Sequence, residues 1–379
     1  MKEIRRGIRE TILPYVTSKE AHEFVMRFQR MCGVKENGVV TNRILYYYFK
    51  LSSALGEEVY SLIPLMWWYN SPLTIRFMHR FLILLGAGQL VKDLLELPRP
   101  LEGKQHGGVV RLERHFETEY GFPSTHTISG ILPVTYILDL MKIGVITDHV
   151  TGYSLGGLYL VSIMASRLFV GIHSLPDLLG GLGIGVVLAI ILQIDDVARA
   201  IEYIFMSSKY AIFVSTAVVW CFVKLYPRAR PWRGGYGTLA QIVGPWYGCC
   251  ISIYLMRHFS PSVERELLSF NKISVDVLVN PHMYISSTIP GALLALLVIF
   301  LTKVVTKYVA NKVFVYLFNN TKLLPFDSRE QKAPDGSVVP VEKAYNVEVP
   351  VRLISYTLLS VVAVFCVPAY RVLTKSWGS

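Results

Sequence analysis

The stretch Ser166-Arg167-Leu168-Phe169-Val170-Gly171-Ile172-His173-Ser174-Leu175-Pro176-Asp177 joins two apolar blocks, 150–171 and 178–194. Each block is close to the ~20 residues that cross the hydrocarbon of a bilayer. An arginine, a histidine and an aspartate in so short a joint are costly at a membrane unless a function keeps them there. Two further polar clusters lie upstream, Lys92-Asp-Leu-Leu-Glu-Leu-Pro-Arg99-Pro100 and Pro123-Ser124-Thr125-His126. Together the three clusters hold the groups needed to clamp a phosphate dianion and pass its phosphoryl group to water.

The rest of the chain sets these clusters in oil. Of 379 residues, 52% are hydrophobic and only 17% charged, against about a quarter charged in soluble domains. Apolar blocks that predict membrane-spanning helices cover 56–71, 73–91, 128–146, 150–171, 178–194, 209–226, 238–258, 284–304 and 352–370. The fold class expected is therefore an all-α, polytopic membrane helical bundle. Residues 1–10 are charged and lack an apolar core with a small-residue cleavage site, so no cleaved signal peptide is expected. Phe24, Phe28 and Met31 recur at helical spacing, as on an amphipathic surface helix. The run Tyr46-Tyr47-Tyr48-Phe49 has the amphipathic rings of a headgroup-level belt.

The net charge of +11 does not point to nucleic acid, because the cations are scattered among loops and span ends and no recognition motif accompanies them. The five cysteines form no C-x-x-C pair, and four lie in apolar runs, which reads as buried small hydrophobes. H-E-x-x-H, Asp-rich runs and His/Cys ligand clusters are missing from the sequence, so metal-independent chemistry without a cofactor is expected. The sequon at Asn319 hugs a span end and is not expected to be glycosylated.

Counting crossings puts the three clusters on one face of the membrane. Accidental motif matches have no reason to agree in this way. Arg99 and Arg167 carry guanidinium forks that fit two phosphate oxygens at once, and Lys92 adds a compact third charge. Lys92 and Arg99 are two helical turns apart, with Pro98 setting Arg99 just past a helix end. Ser124 is an N-cap candidate for the following span, where backbone N–H groups and the helix dipole favour an anion. His126 at the same helix mouth is suited to protonate a leaving alkoxide. His173, four residues before Asp177, is suited to attack phosphorus while the carboxylate holds its other ring nitrogen. Taken singly, each cation reads as a snorkelling anchor, Ser124 as a plain cap, and each histidine as an interfacial polar residue. Their convergence on one face reverses those readings. The stretch Lys224-Leu-Tyr-Pro-Arg-Ala-Arg230-Pro231 imitates the first cluster, but is one residue short and has no P-S-x-H after it; it reads as a basic loop.

In order, the clusters match K-x6-R-P, P-S-x-H and S-R-x5-H-x3-D, and the chain resembles the type 2 phosphatidic acid phosphatase superfamily. The resemblance implies an α-helical core, a phosphohistidine intermediate on His173, and phosphate binding by Lys92, Arg99, Ser124, Thr125 and Arg167. It makes His126 the acid for the leaving group and Asp177 the partner of His173. The P-S-T-H form with Thr125, the contexts Glu119–His126 and Ser166–Ser174, and further spans beyond Asp177 are similar to the sphingosine-1-phosphate phosphatase branch. That branch implies a sphingoid base phosphate substrate and a multi-pass protein of the endoplasmic reticulum. The same chemistry on phosphatidic acid, lysophosphatidic acid or a sugar phosphate, or a non-catalytic anion transporter, are the other readings. Pro176 stands where the family pattern has an aliphatic residue; in a helical first turn it is tolerated.

The organisation expected is a basic amphipathic segment at 1–55, a phosphatase core with all three motifs at 56–195, and additional transmembrane helices at 196–379 with a polar loop at 327–347. Nothing in the sequence specifies an oligomeric state. The basic loops at 1–50, 224–233 and 303–343 count to the same side as the clusters, which the positive-inside rule makes cytosolic. The family resemblance implies a lumenal catalytic face instead; either an added crossing near 44–55 reconciles the two, or the active-site cations escape the rule.

Overall fold

The computed structural model describes residues 2–57, 72–100, 108–113, 119–229, 231–259, 282–320, 332 and 336–376. Among them the chain is helical, and its only extended pairings are the isolated bridges Val34–Val40 and Lys332–Val338. We number the helices α1 Lys2–Val16, α2 Lys19–Met31, α3 Arg43–Leu55, α4 Pro72–Leu95, α5 Thr125–Lys142, α6 His149–Val170, α7 Leu175–Gln193, α8 Asp195–Glu202, α9 Ala211–Leu225, α10 Gly235–Phe259, α11 His282–Asn320 and α12 Tyr345–Ser376. The architecture is an all-α polytopic bundle.

By length and composition α6, α7, α10 and the Tyr345–Val364 part of α12 suffice to cross a membrane. The segments Asp195–Ser207 and Ala211–Leu225 meet at 98° and, counted as one, make a fifth such span among the described residues. Nine spans were expected. The helices over 73–91 and 128–146 fall short on composition because they carry His79, Arg80, Lys92 and Asp93 on α4, and His126 and Asp139 on α5, all buried inside the bundle. A polar residue at these sites faces protein rather than lipid, as intramembrane polar groups do. The expected span at 56–71 lies outside the described residues apart from positions 56 and 57. Helix α3 has 13 residues, shorter than the ~20 needed for a crossing.

Local sequence sets each joint near the motifs. Asp148 caps α6 by accepting from the N–H groups of Val150 and Thr151 at 3.1 and 3.2 Å. Helix α6 stops at Gly171, which takes a left-handed φ of 77° and donates to the Leu168 carbonyl at 3.1 Å. A side chain there would also run into the Val110 carbonyl and the Gln29 amide, so glycine is needed twice over. Helix α7 packs on the start of α5 at Gly181, where an added Cβ would lie 2.5 Å from the Ser124 carbonyl oxygen. Small residues allow this close helix approach.

The core is continuous from α4 to α12. Trp246 of α10, fully buried, donates to His79 Nδ1 of α4 at 3.1 Å, and α10 lies along α12 at Gly244 and Gly248. The C-terminal helices thus share their apolar core with the motif-bearing ones. In α2, Phe24 and Met31 of the expected stripe remain exposed, while Val25 and Gln29 turn inward. Tyr47 and Tyr48 are exposed, but Phe49 is buried and stacks on Phe169 with ring centroids 4.8 Å apart. Of the expected polar loop at 327–347, Tyr345 to Val347 already belong to α12 and are buried. Asn319 lies in the last turn of α11.

At the end of the bundle away from the motifs, Arg80 of α4 grips Asp139 of α5. One guanidinium nitrogen meets Oδ2, the other donates to Oδ1 at 3.2 Å and to Gln193 Oε1 of α7 at 3.1 Å. Both side chains are 2% exposed. Removing one partner of a buried pair strands the other, so Arg80→Ala is expected to cost about 3–5 kcal/mol of stability. Thermal unfolding in detergent checks this, and Arg80→Met combined with Asp139→Leu is expected to recover much of the loss.

Candidate active site

Helix α4 ends two turns after its glycine-rich stretch and carries Lys92 in its last turn; Arg99 follows on the loop. The chain returns through Glu119–Pro123, with Gly121 N–H bonded to the Leu97 carbonyl at 2.8 Å, and enters α5 at Ser124. Ser124 is the N-cap, its hydroxyl oxygen accepting the Thr127 N–H at 3.3 Å. Arg167 lies in the last turn of α6, His173 in the joint, and Asp177 in the first turn of α7. The Ser124 N–H donates to the Asp177 carbonyl at 3.0 Å, tying the second motif to the third.

All eight residues singled out in the sequence, Lys92, Arg99, Ser124, Thr125, His126, Arg167, His173 and Asp177, are buried at this one end of the bundle. The rings of His126 and His173 have centroids 6.3 Å apart. Arg99 donates to the Ile172 carbonyl at 3.0 Å, with the same nitrogen 3.4 Å from His173 Nε2. Lys92 Nζ donates to Thr125 Oγ1 at 3.0 Å, so the threonine also orients the lysine. Arg167 holds Ser166 Oγ at 3.3 Å and also bonds the Ser53 hydroxyl.

One expected contact differs. Asp177 Oδ2 is 3.6 Å from His173 Nδ1, beyond hydrogen-bond length, and accepts the Ser174 N–H at 2.7 Å instead. The i,i+4 expectation assumed a shared helical turn, but His173 precedes α7, which starts at Leu175. Asp177 therefore acts as the reciprocal residue of a capping box. Pro176 fits the first turn, where no N–H bond is lost, and Asp177 stays beside His173.

Burial, then the charges of Arg99, Lys92 and Arg167, hold the His173 imidazole well below its ordinary pKa. Its neutral form is the one at rest. Burial draws the Arg99 guanidinium down to about 10, opposed by Glu119 and Asp177, so it stays cationic at neutral pH. Among the described residues no group of three or more His, Cys, Asp or Glu is placed to hold a metal ion.

Several neighbours escaped the sequence reading. Glu119 accepts from Lys92 Nζ at 3.2 Å and from Thr238 Oγ1 of α10 at 2.7 Å. Its backbone carbonyl accepts from Arg99 Nε at 3.0 Å. Burial pushes its carboxyl up, but Lys92, Arg99 and the Thr238 hydroxyl outweigh this and keep it below the usual range, hence ionised. Gln29 braces the joint, donating to the Val110 and Phe169 carbonyls at 2.6 and 2.9 Å. Arg233, at the end of the basic loop set aside in the sequence, lies 4.9 Å from the Tyr120 ring centroid. The signal for Ser53 was at most a polar pair, Ser52-Ser53, in an apolar helix.

The PAP2 superfamily model matches residues 77–199, which include all three motifs. The chain is 32% identical over 199 residues to mouse sphingosine-1-phosphate phosphatase 2, covering 50% of this chain and 52% of that protein. It is 24% identical over 342 residues to mouse sphingosine-1-phosphate phosphatase 1, covering 87% of this chain and 72% of the relative. A dihydrosphingosine 1-phosphate phosphatase of Schizosaccharomyces pombe is 30% identical over 196 residues, 49% of this chain and 44% of that one. The chain thus spans about half the length of sphingosine-1-phosphate phosphatase 2. No solved structure matches it. With the motif residues gathered at one end of a helical bundle and the family match laid across them, residues 77–199 carry a PAP2 superfamily domain.

Proposed function

We propose that this multi-pass membrane protein hydrolyses sphingosine-1-phosphate and dihydrosphingosine-1-phosphate to the free sphingoid base and phosphate. The observation that carries the reading is the facing pair His126 and His173, 6.3 Å between ring centroids, within reach of three buried cations. Binding an anion needs the cations alone; two imidazoles across one gap serve bond making and breaking, which disfavours a transporter.

In the first step His173 Nε2, on the Arg99 side of the ring, attacks phosphorus. The P–N bond forms as the ester P–O bond breaks, and His126 gives its proton to the departing alkoxide. Asp177, beside Nδ1, stabilises the imidazolium charge that develops. Lys92, Arg99, Arg167 and the α5 N-terminus with Ser124 and Thr125 bind the equatorial oxygens. In the second step water attacks phosphorus, the P–N bond breaks, and the water proton passes to His126, restoring both histidines. Neither step calls on a metal.

The printed names of the relatives support the sphingoid substrate. A relative named lipid phosphate phosphatase delta, from Arabidopsis thaliana and 27% identical, supports a second reading, a lipid phosphate outside the sphingoid class such as phosphatidic or lysophosphatidic acid. Residence in the endoplasmic reticulum membrane belongs to the same proposal. Purified protein is expected to release phosphate from sphingosine-1-phosphate faster than from phosphatidic acid, with EDTA present throughout. Faster hydrolysis of phosphatidic acid overturns the substrate, and loss of release on chelation overturns the metal-free steps.

A further inference from the structure

A carboxylate inside a phosphate site needs a reason. Glu119 lies against two of the cations that the proposed reaction uses, with Oε2 3.2 Å from Lys92 Nζ and 3.9 Å from Arg99 Nη2. Its side chain is 16% exposed, whereas those of Lys92 and Arg99 are 0% and 4% exposed. The other oxygen, Oε1, is fixed by the Thr238 hydroxyl at 2.7 Å, so the carboxylate is anchored from α10 rather than carried along with the lysine. When a phosphate dianion takes Lys92 and Arg99, Oε2 is left beside a second anion in a site with little water. Like charges so close and so dry repel strongly. A phosphate ester of a plain alcohol or a glycerolipid meets this repulsion unrelieved. A sphingoid base phosphate does not, because its ammonium sits on the carbon next to the one bearing the ester.

We infer that Glu119, held by Thr238, is a specificity-determining residue that receives the ammonium vicinal to the phosphate ester and thereby selects amino-alcohol phosphates over phosphates lacking that charge. This rests on the sphingoid substrate proposed above. Substrate binding exchanges one ion pair for another: the phosphate takes the cations from Oε2, and the ammonium takes Oε2 from the cations. A repulsive element against the wrong ligand, relieved by the right one, is a common source of discrimination.

The test compares kcat/KM for sphinganine-1-phosphate and for octadecyl phosphate, which lacks the amine, in mixed micelles. Wild type is expected to prefer the amine by a factor on the order of tenfold to a hundredfold, and Glu119→Gln to bring the ratio close to one. Glu119→Asp, which keeps the charge, is expected to retain much of the preference. Thr238→Val serves as a second variant should Glu119→Gln fold poorly, and is expected to lower the ratio by a smaller factor. An unchanged ratio in the variants overturns the inference. So does an equal loss on both substrates, which makes Glu119 a positioning residue for Lys92 only. Equal hydrolysis of both substrates by wild type also overturns it, while leaving the sphingoid reading intact. Wild type that leaves sphinganine-1-phosphate uncleaved but hydrolyses octadecyl phosphate removes the substrate reading itself.

Discussion

His173→Ala is expected to lower turnover of sphingosine-1-phosphate by a factor on the order of 10⁴–10⁶, the scale seen when a nucleophile is removed from a cooperating set. Alanine removes the imidazole nitrogen proposed to form the P–N bond, and a water molecule in its place would lack the fixed aim of an imidazole. The phosphate-binding groups remain, so substrate affinity should change little. The folding cost should also be small, because the joint is held by Gly171, by the Gln29 bonds and by the α7 cap rather than by the His173 ring. A variant that keeps near-normal turnover would show that another group attacks phosphorus.

His126→Ala should divide the reaction by leaving group. A sphingoid alkoxide leaves poorly without a proton, so phosphoenzyme formation from sphingosine-1-phosphate is expected to slow by about 10²–10⁴-fold. From p-nitrophenyl phosphate, whose leaving group is stable as an anion, formation should be nearly normal. The second step then lacks its base, so phosphoenzyme should accumulate with the aryl substrate. Rapid-quench measurement of both substrates reads the two effects separately. Equal slowing of formation with both would remove His126 from the acid role and leave it a binding group.

The parts of this site that were legible in the sequence are those set by local chemistry. Ser124 announces its cap, Pro98 places Arg99 beyond α4, and the joint from Ser166 to Asp177 stands out as polar residues between two apolar blocks. What was not legible depends on contacts between distant positions. Glu119 meets Lys92 across 27 positions, Arg167 meets Ser53 across 114, and Glu119 meets Thr238 across 119. A single sequence carries no trace of such pairs, since each residue alone is an ordinary serine, threonine or glutamate. The Asp177 contact was misjudged for a local reason, the start of α7 two residues after His173. Helices α4 and α5 fall below the apolar content of the other spans because they hide their polar residues inside the bundle, where apolar content no longer measures contact with lipid.

The covalent step on His173 is the centre of the account, and trapping it is the most direct test. Purified protein mixed with ³²P-labelled sphingosine-1-phosphate and quenched in alkali within the first turnover is expected to carry label that is alkali-stable and acid-labile. Peptide mapping should place that label on His173, and His173→Ala should carry none. Label on any other residue, or turnover with no labelled protein at any quench time, would contradict the proposed mechanism.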